Sequence, residues 1–195
     1  MRAARAAPPL DTDTRIAVAI ADRAATQVEG TVVAPALSYG SSGEHAGFTG
    51  TLSIGQDALE IVLIELVRSA DRFSRVVLVN GHGGNLEPVR RAERQLRREG
   101  RRVHSWFPVI PGGDAHAGRT ETSLMLAIEP AVVRLDRAVV GNTAPLHTLV
   151  SDLQLVGVVG VSANGVLGDP TGADADEGRK LLERLVDDLV GVIAH

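Results

Sequence analysis

Histidine and carboxylate side chains occur in short, loop-like segments of this sequence, and their chemical types suggest metal chemistry. The stretch 76–85 reads VVLVNGHGGN, in which an apolar run ends at a tight loop that holds His82 between glycines, which let the backbone take strained angles. Asp11 and Asp13 open a helical pattern in PLDTDT, and Asp114, His116 and Glu121 share the segment GDAHAGRTETS. The Gly-rich segment YGSSGEHAGF offers Tyr39, Glu44 and His45. Imidazole and carboxylate groups from separate loops form a donor set that divalent metals use. We therefore predict a metal site, which would need no serine or cysteine nucleophile.

Simpler roles compete with this prediction when each residue is taken alone. A carboxylate at the start of a helix commonly accepts hydrogen bonds from free backbone N–H groups, so Asp11 is a candidate helix cap, or else a partner that orients a metal-binding histidine. His82 could equally be a turn histidine that faces water. Tyr39 and His45 are candidate pocket walls, whereas core packing is the expected role of Trp106.

The composition limits the class of protein. The chain has 195 residues, 44% of them hydrophobic, and a mean hydropathy of +0.09, so it can bury a sizeable core and is expected to form one domain, 1–195. It contains no cysteine, which excludes disulfides and thiolate chemistry. The net charge of −4 gives no reason to expect nucleic acid or a membrane surface as a partner. The sequence shows neither a signal peptide nor a membrane-spanning run, and we expect a cytoplasmic protein.

Helical and strand-like patterns alternate along the chain. This alternation predicts an α/β fold, a three-layer αβα sandwich with a mainly parallel sheet. His82 would then lie at the carboxyl end of a strand, where ligands gather in open α/β sheets. The predicted helices are 11–28, 56–73, 86–99, 120–128 and 174–193. The predicted strands are 31–37, 76–79, 103–109 and 158–161.

Two helical segments bear on the partners of the protein. Segment 90–102 reads RRAERQLRREGRR, but Glu93 precedes Arg97 by one helical turn and the apolar spacing leaves the charges on one face. We interpret it as a solvated helix surface and not as a nucleic-acid site. Segment 56–73 is apolar nearly all round, which predicts burial against both the sheet and another subunit. We therefore expect a homo-oligomer.

Three short motifs, in this order along the chain, indicate a family. Residues 9–13 read PLDTD, residues 80–85 read NGHGGN and residues 116–123 read HAGRTETS. They resemble the creatininase family of metal-dependent amidohydrolases, whose segments look like E-x-H-G-P-H-L-P-L-x-T-D, N-G-H-G-G-N and H-A-G-x-x-E-T-S. The resemblance covers almost the whole chain from Pro9 onward. Further stretches resemble one branch of that family, a group of peptidases; they are 34–55, 111–126, 141–146 and 165–171.

The resemblance implies a role for each matching residue. It makes Asp13 the carboxylate that bridges two metal ions, His82 a ligand of one ion and Glu121 a ligand of the other. It makes His116 the catalytic residue that transfers a proton or orients the reacting groups beside the metals. The implied cofactors are two divalent ions per subunit in the intact enzyme, either iron or zinc, with manganese as a further candidate.

The branch that the chain resembles also implies an activity. Its members hydrolyse an amide bond and release the C-terminal Val-Tyr dipeptide from a modified ribosomal precursor peptide. Two alternatives stay open: an amidohydrolase that acts on a small cyclic amide, and a non-catalytic oligomeric or nucleotide-binding α/β protein. Against nucleotide binding, NGHGGN lacks the lysine of a P-loop and the spacing of a dinucleotide fingerprint.

The start of the chain departs from the family pattern. Counted back from Asp13, the family's Glu and His fall at positions 2 and 4, where this chain has Arg2 and Ala4. Glu44 and His45 do not replace them, because the resembled branch carries that pair in addition to the earlier one. The metal site is therefore expected to be short of ligands and to hold one ion weakly or none.

A reading in nucleotides offers an explanation for the missing ligands. With permitted codons, a shift of one base turns the first eight residues into Cys-Glu-Gln-His-Gly-Pro-His followed by most of a Leu codon. We hypothesise that residues 1–8 are a frameshifted or non-native start, from a sequencing error or a decayed gene. An intact protein would then extend further upstream and supply the first strand of the sheet, which is expected to be missing here.

Overall fold

The computed structural model describes residues 8–195. Arg2 and Ala4 lie outside the described residues, as does most of the segment expected to be non-native. Each of the five predicted helices is present within a few residues of its expected bounds. The elements in chain order are α1 (Thr12–Ala25), α2 (Gln56–Ser69), β1 (Val76–Val79), α3 (Leu86–Arg98), β2 (Val103–Trp106), α4 (Arg119–Ile128), α5 (Leu146–Val161) and α6 (Ala175–Ala194).

The described sheet consists of β1 and β2, which pair in parallel. Val76 lies opposite Val103 and Val79 lies opposite Trp106, so both strands end at the same edge. β2 ends earlier than the predicted 103–109, two residues before Pro108, which has no N–H to continue the ladder. The side chains that follow the two strands therefore share the carboxyl edge of the sheet.

A hydrophobic core lies on each face of the sheet, because successive strand side chains point to opposite faces. Val77 and Val79 contact the core that α1, α4 and α6 form on one face. Val76 and Leu78 contact the core that α2 and α3 form on the other face. The fold is therefore α/β with helices on both sides of a small parallel sheet, as the sequence predicted.

Two predicted strands are wrong. Residues 31–37 have no regular secondary structure, and Val32 and Leu37 are 67% and 46% exposed. Pro35 interrupts that segment and cannot donate to a neighbouring strand. Residues 158–161 form the last turn of α5, since a short apolar run does not distinguish a strand from a helix. α5 is broken at Gly157, whose φ of 67° lies in the left-handed region that favours glycine.

Helix α2 buries one face and exposes the other. Leu63 and Val67 are buried in the core shared with α3, whereas Ile61 and Leu66 are 61% and 49% exposed. The contact of this helix with a second subunit stays a prediction. None of the helices formed by residues 8–195 combines the length and apolarity needed to cross a membrane.

Candidate metal centre and active site

The NGHGGN loop leaves the carboxyl end of β1 and is held by its own asparagines. The side-chain amide of the buried Asn80 donates to the carbonyl of His82 at 2.8 Å. Asn85 donates to Asn80 Oδ1 at 3.1 Å and accepts from the backbone N–H of Ser41 at 2.8 Å. These bonds fix the position of His82 and tie the loop to the segment that precedes Glu44.

The glycines of this loop allow neighbouring backbone and side-chain atoms to pack closely against it. The motif predicted strained backbone angles, but Gly81, Gly83 and Gly84 do not have positive φ values. A Cβ atom at Gly81 would lie 2.6 Å from the carbonyl oxygen of Asp13, and a Cβ atom at Gly84 would lie 2.7 Å from His82 Nε2. The glycines therefore let the first turn of α1 and the neighbouring loop come against His82.

Two carboxylates contact the imidazole of His82. Asp13, in the first turn of α1, places Oδ2 2.7 Å from Nδ1. Glu44, in a single 3-10 turn (Gly43–His45), places Oε1 2.9 Å from Nε2. We call these three residues the His82 cluster. The histidine ring lies between the carboxylates, and the side chain of His82 is only 14% exposed.

Three further residues form what we call the Glu121 cluster: His45, His116 and Glu121. The backbone of His116 pairs with Leu167, whose N–H donates to the His116 carbonyl at 2.8 Å. Ala117 follows with a φ of 51°, a strained conformation for a residue with a Cβ, and its N–H donates to Glu121 Oε2 at 2.9 Å. The other oxygen of Glu121 lies 3.9 Å from His116 Nδ1, beyond hydrogen-bond distance.

The ring of His45 connects the two clusters. Its centroid lies 4.7 Å from that of His116 and 5.9 Å from that of His82. Its Nε2 atom lies 3.7 Å from Glu44 Oε1. The residues that the sequence singled out on separate loops are therefore gathered at one edge of the sheet.

Burial and partners set opposite charge states in the two clusters. Burial disfavours the charge of His82, but the hydrogen bonds with Asp13 and Glu44 outweigh it and raise the pKa of His82 to about 10. Burial opposes ionisation of Glu44 as well, yet the bond with His82 lowers the pKa of that carboxyl. At neutral pH the His82 cluster therefore contains a charged imidazolium between carboxylates.

In the Glu121 cluster, burial keeps the groups neutral. Burial, reinforced by the charge of Asp13, raises the pKa of Glu121 to about 8. Burial lowers the pKa of His116, and burial together with the neighbouring ring of His116, which opposes a second positive charge, lowers the pKa of His45 to about 4. At neutral pH this cluster consists of a largely protonated carboxyl group and neutral imidazoles.

A family model described as creatininase, creatinine amidohydrolase, matches residues 7–193. The chain belongs to the creatininase family. A protein of Mycobacterium ulcerans (strain Agy99) named mycofactocin precursor peptide peptidase is 51% identical to it over 196 residues, which cover 96% of this chain and 78% of that relative. The creatinine amidohydrolase of Pseudomonas putida is 29% identical over 215 residues, which cover 94% of this chain and 82% of that protein.

Solved creatininase structures share the fold. A creatininase mutant complexed with creatine superposes with a TM-score of 0.80 at 27% identity, covering 98% of this chain and 86% of that one. A creatininase mutant described as Zn-Zn type gives a TM-score of 0.75 at 27% identity, covering 97% and 86%. The family and its hydrolase fold, both expected from the sequence, are confirmed.

Other sequence-predicted residues take ordinary structural roles. Asp11 occupies the N-cap position of α1 without a side-chain cap bond and pairs instead with Arg15 at 2.9 Å. Trp106 is buried in the core and donates to Asp188 at 2.6 Å, so it is not a pocket wall. Tyr39 is 58% exposed. Sequence reasoning missed the contact between Glu44 and His82.

The metal implied by the creatininase family can be tested against the donors of this chain. The donor types fit a divalent ion. Glu121 Oε1 makes no hydrogen bond with His116, whose Nδ1 lies 3.9 Å away. As they stand, no three His, Asp or Glu side chains of residues 8–195 surround one point where an ion would bind. Carboxylates already face both ring nitrogens of His82. A metal-binding histidine must be neutral, so an ion would have to displace a proton from this ring.

Proposed function

We propose that this chain is a metal-dependent peptidase that acts on the modified mycofactocin precursor peptide and releases its C-terminal Val-Tyr dipeptide by hydrolysis of an amide bond. The observation that carries the proposal is the gathering of Asp13, His82, His116 and Glu121 at one edge of the sheet, in a chain 51% identical to a peptidase of that name. The identity to a creatinine amidohydrolase is lower, 29%. This difference favours a peptide over a small cyclic amide as the substrate.

In this proposal Asp13, His82 and Glu121 would hold the metal, with two divalent ions per subunit in the intact enzyme. Iron or zinc are the candidate ions, with manganese as a further one, since imidazole and carboxylate suit several first-row metals. When bound, such ions polarise an amide carbonyl and lower the pKa of a water molecule, which provides a nucleophile at neutral pH.

The protein groups supply proton transfer. The lowered pKa of His116 leaves its imidazole neutral at neutral pH, so a ring nitrogen can accept the proton of the attacking water and later protonate the leaving amine. The raised pKa of Glu121 means that this carboxyl holds a proton until a cation lies beside it. The cost of ionising Glu121 is therefore offset by the ion that it binds.

We further propose that the chain forms a homo-oligomer and acts in the cytoplasm. The exposed apolar residues Ile61 and Leu66 on α2 support a homo-oligomer, for which light scattering should report a multiple of the 20.5 kDa chain mass. A modified peptide made on the ribosome would be met in the cytoplasm.

Purified chain should be incubated with zinc, iron or manganese and then offered the modified precursor peptide and, separately, creatinine. We expect metal-dependent release of Val-Tyr, detected by mass spectrometry and abolished by a chelator, with no turnover of creatinine. Turnover of creatinine alone would favour the cyclic-amide alternative. Failure to bind metal and to hydrolyse either compound would favour a non-catalytic role.

A companion experiment concerns positions 2 and 4. The double substitution Arg2→Glu and Ala4→His restores the residue types of the family pattern. Added ligands should increase the zinc bound at a fixed free concentration, because each meets a cation whose other partners are already fixed by the fold. Equal zinc content in the two proteins would show that these positions do not contribute ligands.

A further inference from the structure

The turn that carries Glu44 and His45 packs against the break in helix α5. A Cβ atom at Gly157, where α5 is broken, would lie 2.7 Å from the backbone carbonyl oxygen of Glu44. A Cβ atom at Gly47 would lie 2.6 Å from the side chain of Val159, in the last turn of α5. The two segments therefore meet through glycine at two points, and the end of α5 lies beside the candidate site.

Apolar side chains border the site along this contact. The ring of Phe48 follows His45 by three residues and packs at Gly165, where a Cβ atom would lie 3.3 Å from its Cζ atom. Val156 and Val159 are exposed on α5, on either side of the break. We call Phe48, Val156 and Val159 the α5 ledge. Apolar side chains that stay exposed together beside a site indicate a surface that binds another molecule.

A row of aromatic rings connects the ledge to His116. The centroid of the His45 ring lies 4.7 Å from that of His116 and 6.3 Å from that of Phe48. Two extended residues of a peptide span about 7 Å. A peptide whose scissile amide lies beside His116 can therefore place its last two residues past His45, where a large side chain on the last residue reaches Phe48.

We propose that the α5 ledge is the subsite for the leaving dipeptide: Phe48, Val156 and Val159 receive the apolar side chains of the last two residues of the substrate. The inference rests on the proposed function, in which those two residues are Val and Tyr. Burial of apolar surface favours such binding, and a Phe ring beside a Tyr ring adds an aromatic contact. The three ledge residues then determine specificity and take no part in the chemistry.

The test measures peptide binding in the presence of a chelator, so that no metal-dependent hydrolysis occurs. The probes are the modified precursor peptide, labelled at its amino end, and the same peptide without its last two residues. Fluorescence anisotropy reports the affinity of each for the unmodified chain, for Val159→Thr, for the double variant Val156→Thr/Val159→Thr and for Val150→Thr. Val150 is the matched control for Val159, because both lie on α5 and are 42% and 43% exposed.

We expect the unmodified chain to bind the full-length peptide about 10-fold more tightly than the shortened one, since the last two residues bury apolar surface on the ledge. Val159→Thr should weaken binding of the full-length peptide about fourfold, and the double variant about 10-fold, because each hydroxyl replaces a methyl group that binding buries. The shortened peptide does not reach the ledge and should bind equally to all four proteins. Val150→Thr should match the unmodified chain with both peptides.

Several results would overturn the assignment. Equal affinity of the unmodified chain for the two peptides, or equal losses for both peptides in the double variant, would exclude the ledge as the dipeptide subsite. A lower mass of the double variant in light scattering, with unchanged peptide affinity, would make the ledge a contact between subunits instead.

Release of the dipeptide by the metal-loaded chain tests the proposed function separately. Release without any effect of the double variant on affinity would overturn the ledge alone. Binding that depends on the ledge, without release, would overturn the peptidase reaction and support the ledge as a peptide-binding surface. If neither peptide bound and no dipeptide were released, both proposals would be wrong.

Discussion

The two clusters of the candidate site contain the same donor types but satisfy their charges differently. In the His82 cluster, a proton on the imidazole provides the positive charge that Asp13 and Glu44 require. In the Glu121 cluster, burial suppresses charge, so that Glu121 is largely protonated and His116 is neutral. The first cluster is stable without a metal, whereas the second gains a partner for its carboxylate only when a cation binds.

This difference has a consequence for metal binding. An ion that uses His82 and Glu121 must release a proton from each, because both bind metal in their deprotonated forms. Metal uptake should therefore be coupled to proton release and should strengthen as pH rises.

Substitution of the proton-transferring residue of the Glu121 cluster should have the largest effect. His116→Gln should lower kcat for dipeptide release by about 10²- to 10⁴-fold, the range typical for loss of a general acid or base. Its zinc content should stay that of the unmodified chain, since His116 is not proposed as a ligand. The exposed His147, substituted in the same way, is the control. A loss of zinc in His116→Gln would mean that the ring binds metal.

Removal of the imidazolium should destabilise the His82 cluster even without metal. His82→Ala leaves the carboxylates of Asp13 and Glu44 without their shared cation, and we expect a loss of about 2–3 kcal/mol in the free energy of unfolding. Urea denaturation of the metal-free protein at neutral pH measures it. His104→Ala is the control, because His104 on β2 is 45% exposed and lies 3.9 Å from Glu93; it should change stability by less than about 0.5 kcal/mol. Equal unfolding midpoints for the two variants would show that the cluster contributes no net stability.

The packing that forms the His82 cluster can be tested at neighbouring glycines. A Cβ atom at Gly84 would lie 2.5 Å from Glu44 Oε1 and would also meet the backbone of Ser41, so Gly84→Ala should cost about 1–3 kcal/mol. Gly83→Ala places its Cβ in open space and should stay within about 0.5 kcal/mol of the unmodified chain. Thermal melts of both variants check the difference. A Gly84→Ala protein as stable as Gly83→Ala would mean that Glu44 can move away from His82 at little cost.

Local signals explain why most of the fold could be predicted. Helix α6 begins where the side chain of Asp174 accepts hydrogen bonds from the backbone N–H groups of Asp176 and Glu177. A helix cap of this kind can be recognised from the neighbouring residues alone. The strand predicted at 31–37 failed because pairing depends on a neighbouring strand, which local sequence does not report. The apolar run 158–161 failed because helix and strand share that composition, and only the break at Gly157 distinguishes them.

The same limit applies to the candidate site. His82 and His116 could be singled out because each lies in a motif at the end of a regular element. The partnership of Glu44 with His82 could not, because it joins segments far apart in sequence and depends on the missing Cβ of Gly84. The available signal was the glycine two positions after His82, which the sequence indicated only as a source of backbone freedom.

The smallest predicted effect is the change of the free energy of unfolding with pH. Both clusters should make the metal-free protein less stable as pH rises. The pKa of His82 is raised from 6.5 to about 10, so its stabilising contribution is fully present below about pH 6.5 and is lost as pH rises through about 10. The pKa of Glu121 is raised from 4.5 to about 8, so its contribution is present below about pH 4.5 and is lost as pH rises through about 8. The metal-free protein should therefore lose stability between about pH 6 and pH 8, by about 1 kcal/mol per pH unit, because solvent screens the charges of His82 and Glu121, whose side chains are 14% and 21% exposed.

Zinc should reverse this trend, because the forms of His82 and Glu121 that bind it are the deprotonated ones. Unfolding curves collected across this pH range, with a chelator and with saturating zinc, measure both slopes. Glu121→Gln removes the titrating group of one cluster and should flatten the metal-free slope between about pH 4.5 and pH 6.5, while the part due to His82 remains from about pH 6.5 to pH 10. If the metal-free protein instead gained stability as pH rose, or if Glu121→Gln left the slope unchanged, the charge states assigned to the two clusters would be wrong.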